Sequence, residues 1–161
     1  MTSPGNEVSA IEIARASAAD AAALHELQRH AYRSEAELYD DWTIPPLVEP
    51  LAATERALVE MHVLKAMQRG RIVGAVRGRI EGDTCHVGRL MVHPDFQARG
   101  TGSQLMWALE CALPQVQRFE LFTGERSARN LRLYARLGYR CCRTVALSPR
   151  VTLVYLEKFR A

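Results

Sequence analysis

The sequence predicts a mixed α/β fold, a twisted sheet with helices on both faces. Three observations carry that expectation. Three strand-like runs, His62–Gln68, Arg71–Ile80 and Thr84–Val92, follow one another across the short turns Arg69-Gly70 and Glu81-Gly82-Asp83, as consecutive hairpins do. The third run leads through Pro94 and a glycine-bearing loop into an apolar helical stretch from Thr101 to Ala112. Over the whole chain the segments run β-α-α-β-β-β-α-β-α-β-β, an order that calls for helices layered on a sheet.

The elements follow in turn. Residues 1–9 are expected to be disordered, and Ile11–Ala14 to form a short first strand. Helical spacing begins at Asp20 and runs through Leu24, Leu27 and Ala31. From Glu35 to Pro50 the pattern breaks, and Pro45-Pro46 argue for an irregular segment. Leu51–Glu60 restores a helix before the three strands. Pro114 stops the helix that starts at Thr101, and Arg118–Thr123 is the next strand. Ser127–Leu137 is a helix ended by Gly138, and Cys141–Leu147 and Val151–Leu156 complete the sheet.

Composition narrows the function classes. With 161 residues and 48% hydrophobic content, one domain spanning residues 1–161 is expected. A chain of this size buries about two-thirds of its unfolded surface without a metal or disulfide staple. No apolar run approaches the roughly 18 residues a membrane helix needs. The polar start Met1–Asn6 has no secretion-signal pattern, so a cytoplasmic protein with no membrane partner is expected. Cys85, Cys111, Cys141 and Cys142 form no C-x-x-C pair, and the five histidines lack metal-ligand spacing, so no metal is expected. The net charge of +3 comes almost wholly from arginine, since Lys65 and Lys158 are the only lysines. That balance favours an anionic ligand, and without a basic run interleaved with aromatics no nucleic-acid partner is expected.

The strongest chemical signal is the stretch from Leu90 to Ser103. A strand enters a turn containing Gly100 and Gly102, and the turn opens directly onto a helix. A helix start offers unpaired backbone N–H groups and a partial positive charge, which attract phosphate. Arg99 adds a charge-assisted donor. The lysine of a P-loop is missing, as are the third glycine and downstream acid of a dinucleotide fingerprint. Taken alone, the glycines fit a tight turn that uses them only for its geometry.

Two motifs together are more specific. Val92-His93-Pro94 followed by Gln97-Ala98-Arg99-Gly100-Thr101-Gly102 resembles the Q/R-x-x-G-x-G/A signature of the GNAT superfamily of N-acetyltransferases. Asn130-Leu131-Arg132-Leu133-Tyr134-Ala135-Arg136-Leu137-Gly138-Tyr139 resembles that family's late N-x-x-x-Y-x-x-x-G-[FY] element. The resemblance implies a mostly antiparallel twisted sheet that splays between two strands. It implies acetyl-CoA as co-substrate, with the backbone of Leu90, Met91 and Val92 pairing with the pantetheine arm. The amides of Ala98, Gly100, Thr101, Gly102 and Ser103, flanked by Gln97 and Arg99, would hold the pyrophosphate, and Asn130 would touch the cofactor. Strand addition suits an amide-bearing arm because it satisfies hydrogen bonds on both sides.

An amine attacking a thioester must lose a proton, and the departing thiolate must gain one. The resemblance makes Tyr134 the general acid. It places a glutamate in several relatives where this sequence has His86, six residues before Val92. An imidazole titrates near neutrality and is able to relay a proton. Strict alternation would set His86, Gly88, Leu90 and Val92 on one face, unless a bulge intervenes. The alternatives for the base are Glu35, Glu37, Asp41 or water. Arg129, Arg132 and Arg136 share a helical face, read first as solvated and second as near the cofactor phosphates. The acceptor pocket is expected within Glu35–Pro46, where Glu35, Tyr39 and Trp42 suit a cationic amine. The expected activity is acetyl transfer to the primary amine of a small molecule by direct attack in a ternary complex. A protein N-terminus, a longer acyl chain or a non-catalytic acyl-CoA sensor are the alternatives. A homodimer is left open.

Overall fold

The computed structural model describes residues 10–161. The expected disorder of residues 1–9 lies outside the described residues. Seven strands form one sheet: β1 (Glu12–Arg15), β2 (His62–Gln68), β3 (Arg71–Glu81), β4 (Thr84–Val92), β5 (Arg118–Gly124), β6 (Arg140–Ala146) and β7 (Thr152–Phe159). Their spatial order is β1-β2-β3-β4-β5-β7-β6. Every neighbouring pair is antiparallel except β4–β5, which is parallel. The expected mixed sheet with helices on both faces is what the chain builds.

The helices are α1 (Ala21–Ala31), α2 (Arg33–Tyr39), α3 (Pro45–Val48), α4 (Leu51–Glu60), α5 (Thr101–Ala112) and α6 (Ala128–Arg136). The segment from Glu35 to Pro50, expected to be irregular, is largely helical. Pro45 and Pro46 occupy the first turn of α3, where the missing N–H has no intrahelical acceptor to lose. Helix α2 ends at Asp40 in the left-handed region, φ 48°, with the Asp40 N–H returning to Glu37 O at 3.3 Å.

Two cores sandwich the sheet. On one side α5 drives Leu105, Met106 and Leu109 against Val73, Val76, Cys85, Val87, Phe119 and Leu156. Burial pushes the Cys85 thiol up to about 11, as expected of an inert core cysteine. On the other side Leu24 and Leu27 of α1 cover Val63, Ala75 and Met91. Among the described residues no helix is long and apolar enough to cross a membrane.

Two irregularities of β4 position everything that follows. Ala75 faces Met91 and Arg77 faces Gly88, so β4 spends three residues where β3 spends two. The extra residue is Arg89, held at φ 48°, a bulge that re-aims the strand beyond it. Cys85 and Val87 therefore pack under α5, whereas Met91 packs under α1. The second irregularity is a divergence. Pairing with β5 covers only Thr84, Cys85 and His86, so the later part of β4 leaves its β5-facing edge without a ladder partner.

Candidate active site

A cleft of about 460 Å³ opens where β4 and β5 part. Leu90, Met91 and Val92 form one wall, and Gln97, Ala98 and Gly100–Ser103 a second. Arg126–Asn130, Leu133 and Arg136 of the β5–α6 loop and α6 form the third. Tyr32, Ser34, Glu35 and Leu38 close one end.

The start of α5 leaves backbone donors unpaired. Ala98 and Gly100 both have positive φ, 61° and 80°. They turn the chain so that α5 begins abruptly, with Gly100 as its N-cap. The first intrahelical bond runs from the Gln104 N–H to Gly100 O at 3.0 Å. The N–H groups of Thr101, Gly102 and Ser103 precede it and line the cleft. Gly102 also admits close packing, since an added Cβ would sit 3.5 Å from Leu133 and about 4 Å from Leu90 and Val92.

Several cofactor-side expectations meet here and others do not. Leu90, Met91, Val92, Gln97, Ala98, Gly100, Thr101, Gly102, Ser103 and Asn130 all face the cleft. The Gln97 side chain donates to Val92 O at 3.3 Å and accepts from Arg129. Asn130 donates to Thr123 Oγ1 at 3.3 Å. Arg99 does not join the lining, because its guanidinium stacks over Phe96, 5.4 Å from the ring centroid. Arg126, Arg129 and Arg136 supply the positive wall instead. Helical spacing hinted at Arg129 and Arg136, but nothing in the sequence pattern singled out Arg126, Tyr32 or Ser127.

Tyr134 follows the cleft-lining Leu133 on α6 but is itself outside the lining, 6% exposed, with its ring 6.0 Å from Tyr139. Burial raises its phenol well above the ordinary value, and the neighbouring Tyr32 and Glu35 push the same way. Its hydroxyl therefore keeps its proton around neutral pH and has one to donate. Tyr139 is structural, donating to Glu110 Oε2 at 3.3 Å.

The alternation expected for His86 does not hold. Leu90 and Val92 turn toward Gly102 and α6, while His86, between the core residues Cys85 and Val87, points to the opposite face. The Arg89 bulge reverses the parity. His86 lies outside the cleft lining, 3.3 Å from Glu81 Oε2 and 3.8 Å from Glu120 Oε1. It shares its face with Arg79 and Gly88, and with Arg77 beside Gly88.

The acceptor residues expected from Glu35 to Pro46 are dispersed. Glu35 lines the cleft and accepts from Ser127 Oγ at 2.7 Å. Tyr39 is buried, and its hydroxyl accepts from the Arg126 N–H at 2.8 Å while packing on Gly124. It pins α2 to the β5–α6 loop. Trp42 leaves the cleft altogether and stands in a separate groove with His25, Arg29 and Arg33. Asp41 is engaged by Thr43, and Asp40 faces Arg150 at 3.9 Å. Helix α2 carries Glu35 and Tyr39 inward, while the left-handed turn at Asp40 ends it and takes Asp41 and Trp42 elsewhere.

Comparison with known proteins agrees with this architecture. No curated protein sequence matches the chain significantly. Among solved structures, the PaiA N-acetyltransferase of Thermoplasma acidophilum in complex with coenzyme A superimposes with a TM-score of 0.78 at 16% identity, covering 94% of this chain and 99% of that one. The ribosomal-protein-S18-alanine N-acetyltransferase of Escherichia coli gives 0.76 at 16% identity over 92% of each chain. The Salmonella typhimurium protein yncA with its cofactor acetyl-CoA gives 0.72 at 22% identity over 94% of each. At such identities the likeness concerns the fold. Residues 21–139 match the acetyltransferase (GNAT) family, and with nearly three-quarters of its length inside that match, the chain belongs to the GNAT acetyltransferases.

Proposed function

We propose that this protein transfers an acetyl group from acetyl-CoA to the primary amine of a small molecule, by direct attack while both substrates are bound. One observation carries the reading. The unpaired edge of β4 beyond His86 is followed, across the turn of residues 93–100, by the unpaired amides at the start of α5. An edge strand satisfies an amide-bearing arm, and a helix start with three cationic neighbours satisfies a pyrophosphate. The two donor sets stand in the order in which pantetheine and pyrophosphate occur in coenzyme A. A cleft of about 460 Å³ lies in the range of small-molecule sites.

In this reading the thioester supplies an activated acyl group, and the chain's own residues do the rest. Leu90–Val92 hold the arm by strand addition. Thr101, Gly102 and Ser103 bind phosphate oxygens through their amides, with Arg126, Arg129 and Arg136 adding positive charge. The bulge at Arg89 leaves backbone out of the ladder with β3, and that polar backbone would be available to the acyl end. Tyr134, kept neutral by burial, donates its proton to the leaving sulfur. His86 accepts the amine's proton from the opposite face of the sheet, through water, between the carboxylates of Glu81 and Glu120.

The test is release of free coenzyme A from acetyl-CoA across a panel of small primary amines, with N-terminal peptides as a second arm. Turnover with at least one amine is expected. Binding of acetyl-CoA without turnover on either arm leaves an acyl-CoA sensor. Turnover confined to peptides moves the acceptor to a protein N-terminus, the kind of acceptor named for the ribosomal-protein-S18-alanine enzyme of the same fold.

A further inference from the structure

β3, β4 and β5 carry five arginines, and four have a polar partner. Arg71 meets His93 Nε2 at 3.2 Å, Arg79 meets Glu81 at 3.2 Å, Arg89 meets Glu49 at 3.0 Å, and Arg118 meets Glu120 and Glu157. Arg77 has neither a hydrogen bond nor an ion pair among the described residues, although it is only half-exposed. Its neighbourhood is already rich in cation. Arg77 and Arg89 share the field of a single carboxylate, Glu49, whose oxygens are taken by Arg89 and Gln28. Arg89 Nε is also buried without an acceptor. Donors therefore exceed acceptors beside Tyr32, which both arginines influence. A half-buried guanidinium without a counter-ion is poorly compensated, and an anion that arrives with a ligand would supply the missing charge.

Space for that anion lies next to Arg77. Its cross-strand partner is Gly88, and a Cβ built on Gly88 would meet nothing within 4 Å. Arg77, Gly88 and His86 share the face opposite α5, on the acceptor side of the β4 bulge. Tyr32, which lines the cleft with Glu35, lies within the charge field of Arg77.

From the open space at Gly88 beside the unpartnered Arg77, we infer that the acceptor carries a carboxylate within a few bonds of its amine, and that Arg77 receives it as a specificity-determining residue. The inference rests on the acetyl-transfer reading and deepens it. An α-amino acid has the required chemistry. A peptide N-terminus, whose first carboxyl is an amide, does not.

The experiment compares α-amino acids with the α-amides of the same residues, using wild type, Arg77→Gln and Arg77→Lys. Wild type is expected to favour the acids in kcat/KM by about 10–100-fold, the range for a charge pair discounted for partial exposure. Arg77→Gln should collapse the acid-to-amide ratio toward one through KM, and Arg77→Lys should keep part of it. Equal use of acids and amides by wild type overturns the inference, as does a ratio untouched by Arg77→Gln. A dead-end complex with coenzyme A supplies a readout besides turnover, since added amino acid should raise Tm in wild type and not in Arg77→Gln. If coenzyme A binds and no amine is acetylated, that shift still decides the anion site. A shift with amino amides equal to that with amino acids would overturn it.

Discussion

Gly100→Asp separates the anion cradle from the fold that carries it. Gly100 sits at φ 80°, and a Cβ there would meet nothing within 4 Å. The steric cost of a side chain is therefore conformational only, about 1 kcal/mol for a left-handed L-residue. A carboxylate at a helix N-cap returns several tenths of a kcal/mol, so the free Asp variant should be at least as stable as Gly100→Ala. Coenzyme A binding should respond quite differently. At about 6 Å a unit charge pair is worth about 3 kcal/mol at an effective dielectric near 20. Gly100 is exposed, so we halve that figure for each of about two phosphate charges and reach about 3 kcal/mol, roughly a hundredfold in affinity. At a ligand concentration of about 100 Kd, wild type gains about 2.7 kcal/mol and the Asp variant about 0.4 kcal/mol. Thermal unfolding with and without coenzyme A should show these as Tm rises of about 5–10 °C and about 1 °C. Gly100→Ala should retain most of the rise. A full ligand-induced rise in Gly100→Asp would remove the pyrophosphate from the start of α5.

Three further outcomes follow from the same geometry. Tyr134→Phe should lower turnover by about two to four orders of magnitude with coenzyme A affinity retained; full activity in that variant assigns Tyr134 to packing against Tyr139. His86→Gln should slow kcat by about 10–100-fold with coenzyme A affinity retained, and unchanged turnover would return the base to Glu35 or water. Glu49→Gln should destabilise the fold by about 2 kcal/mol at neutral pH, because Arg89 loses a charged partner. Burial pushes the Glu49 carboxyl up, but hydrogen bonds from Arg89 and Gln28 outweigh it and hold the group below its ordinary 4.5. A depressed carboxyl stabilises above that value and loses its contribution as pH falls through the folded-state one. The gap between wild type and Glu49→Gln in denaturant melts should therefore narrow below about pH 4.5, and a gap constant from pH 7 to pH 3 would show that the pair contributes nothing.

The sequence by itself determined the elements whose signals are local. Hairpin turns at Gly70 and Gly82 delimit β2, β3 and β4, as the spacing implied. The apolar run after Gly100 is α5 over the expected Thr101–Ala112. The turn into α5 was legible for the same reason, since a helix start, two glycines and the strand before them are neighbours in the chain. Tertiary structure decided what depends on pairing. The bulge at Arg89 is a mismatch between β3 and β4, and it alone set His86 on the other face from Leu90 and Val92. The early end of the β4–β5 ladder, which creates the cleft, exists only between strands some thirty residues apart. Helix α2, its roll fixed by packing against Gly124 and Arg126, brought Glu35 to the cleft, and Trp42 lies past its left-handed end at Asp40, outside the cleft. The lack of a partner for Arg77 is likewise invisible in the chain, since a count of 21 basic and 18 acidic residues says nothing of which charge meets which until the sheet has placed them.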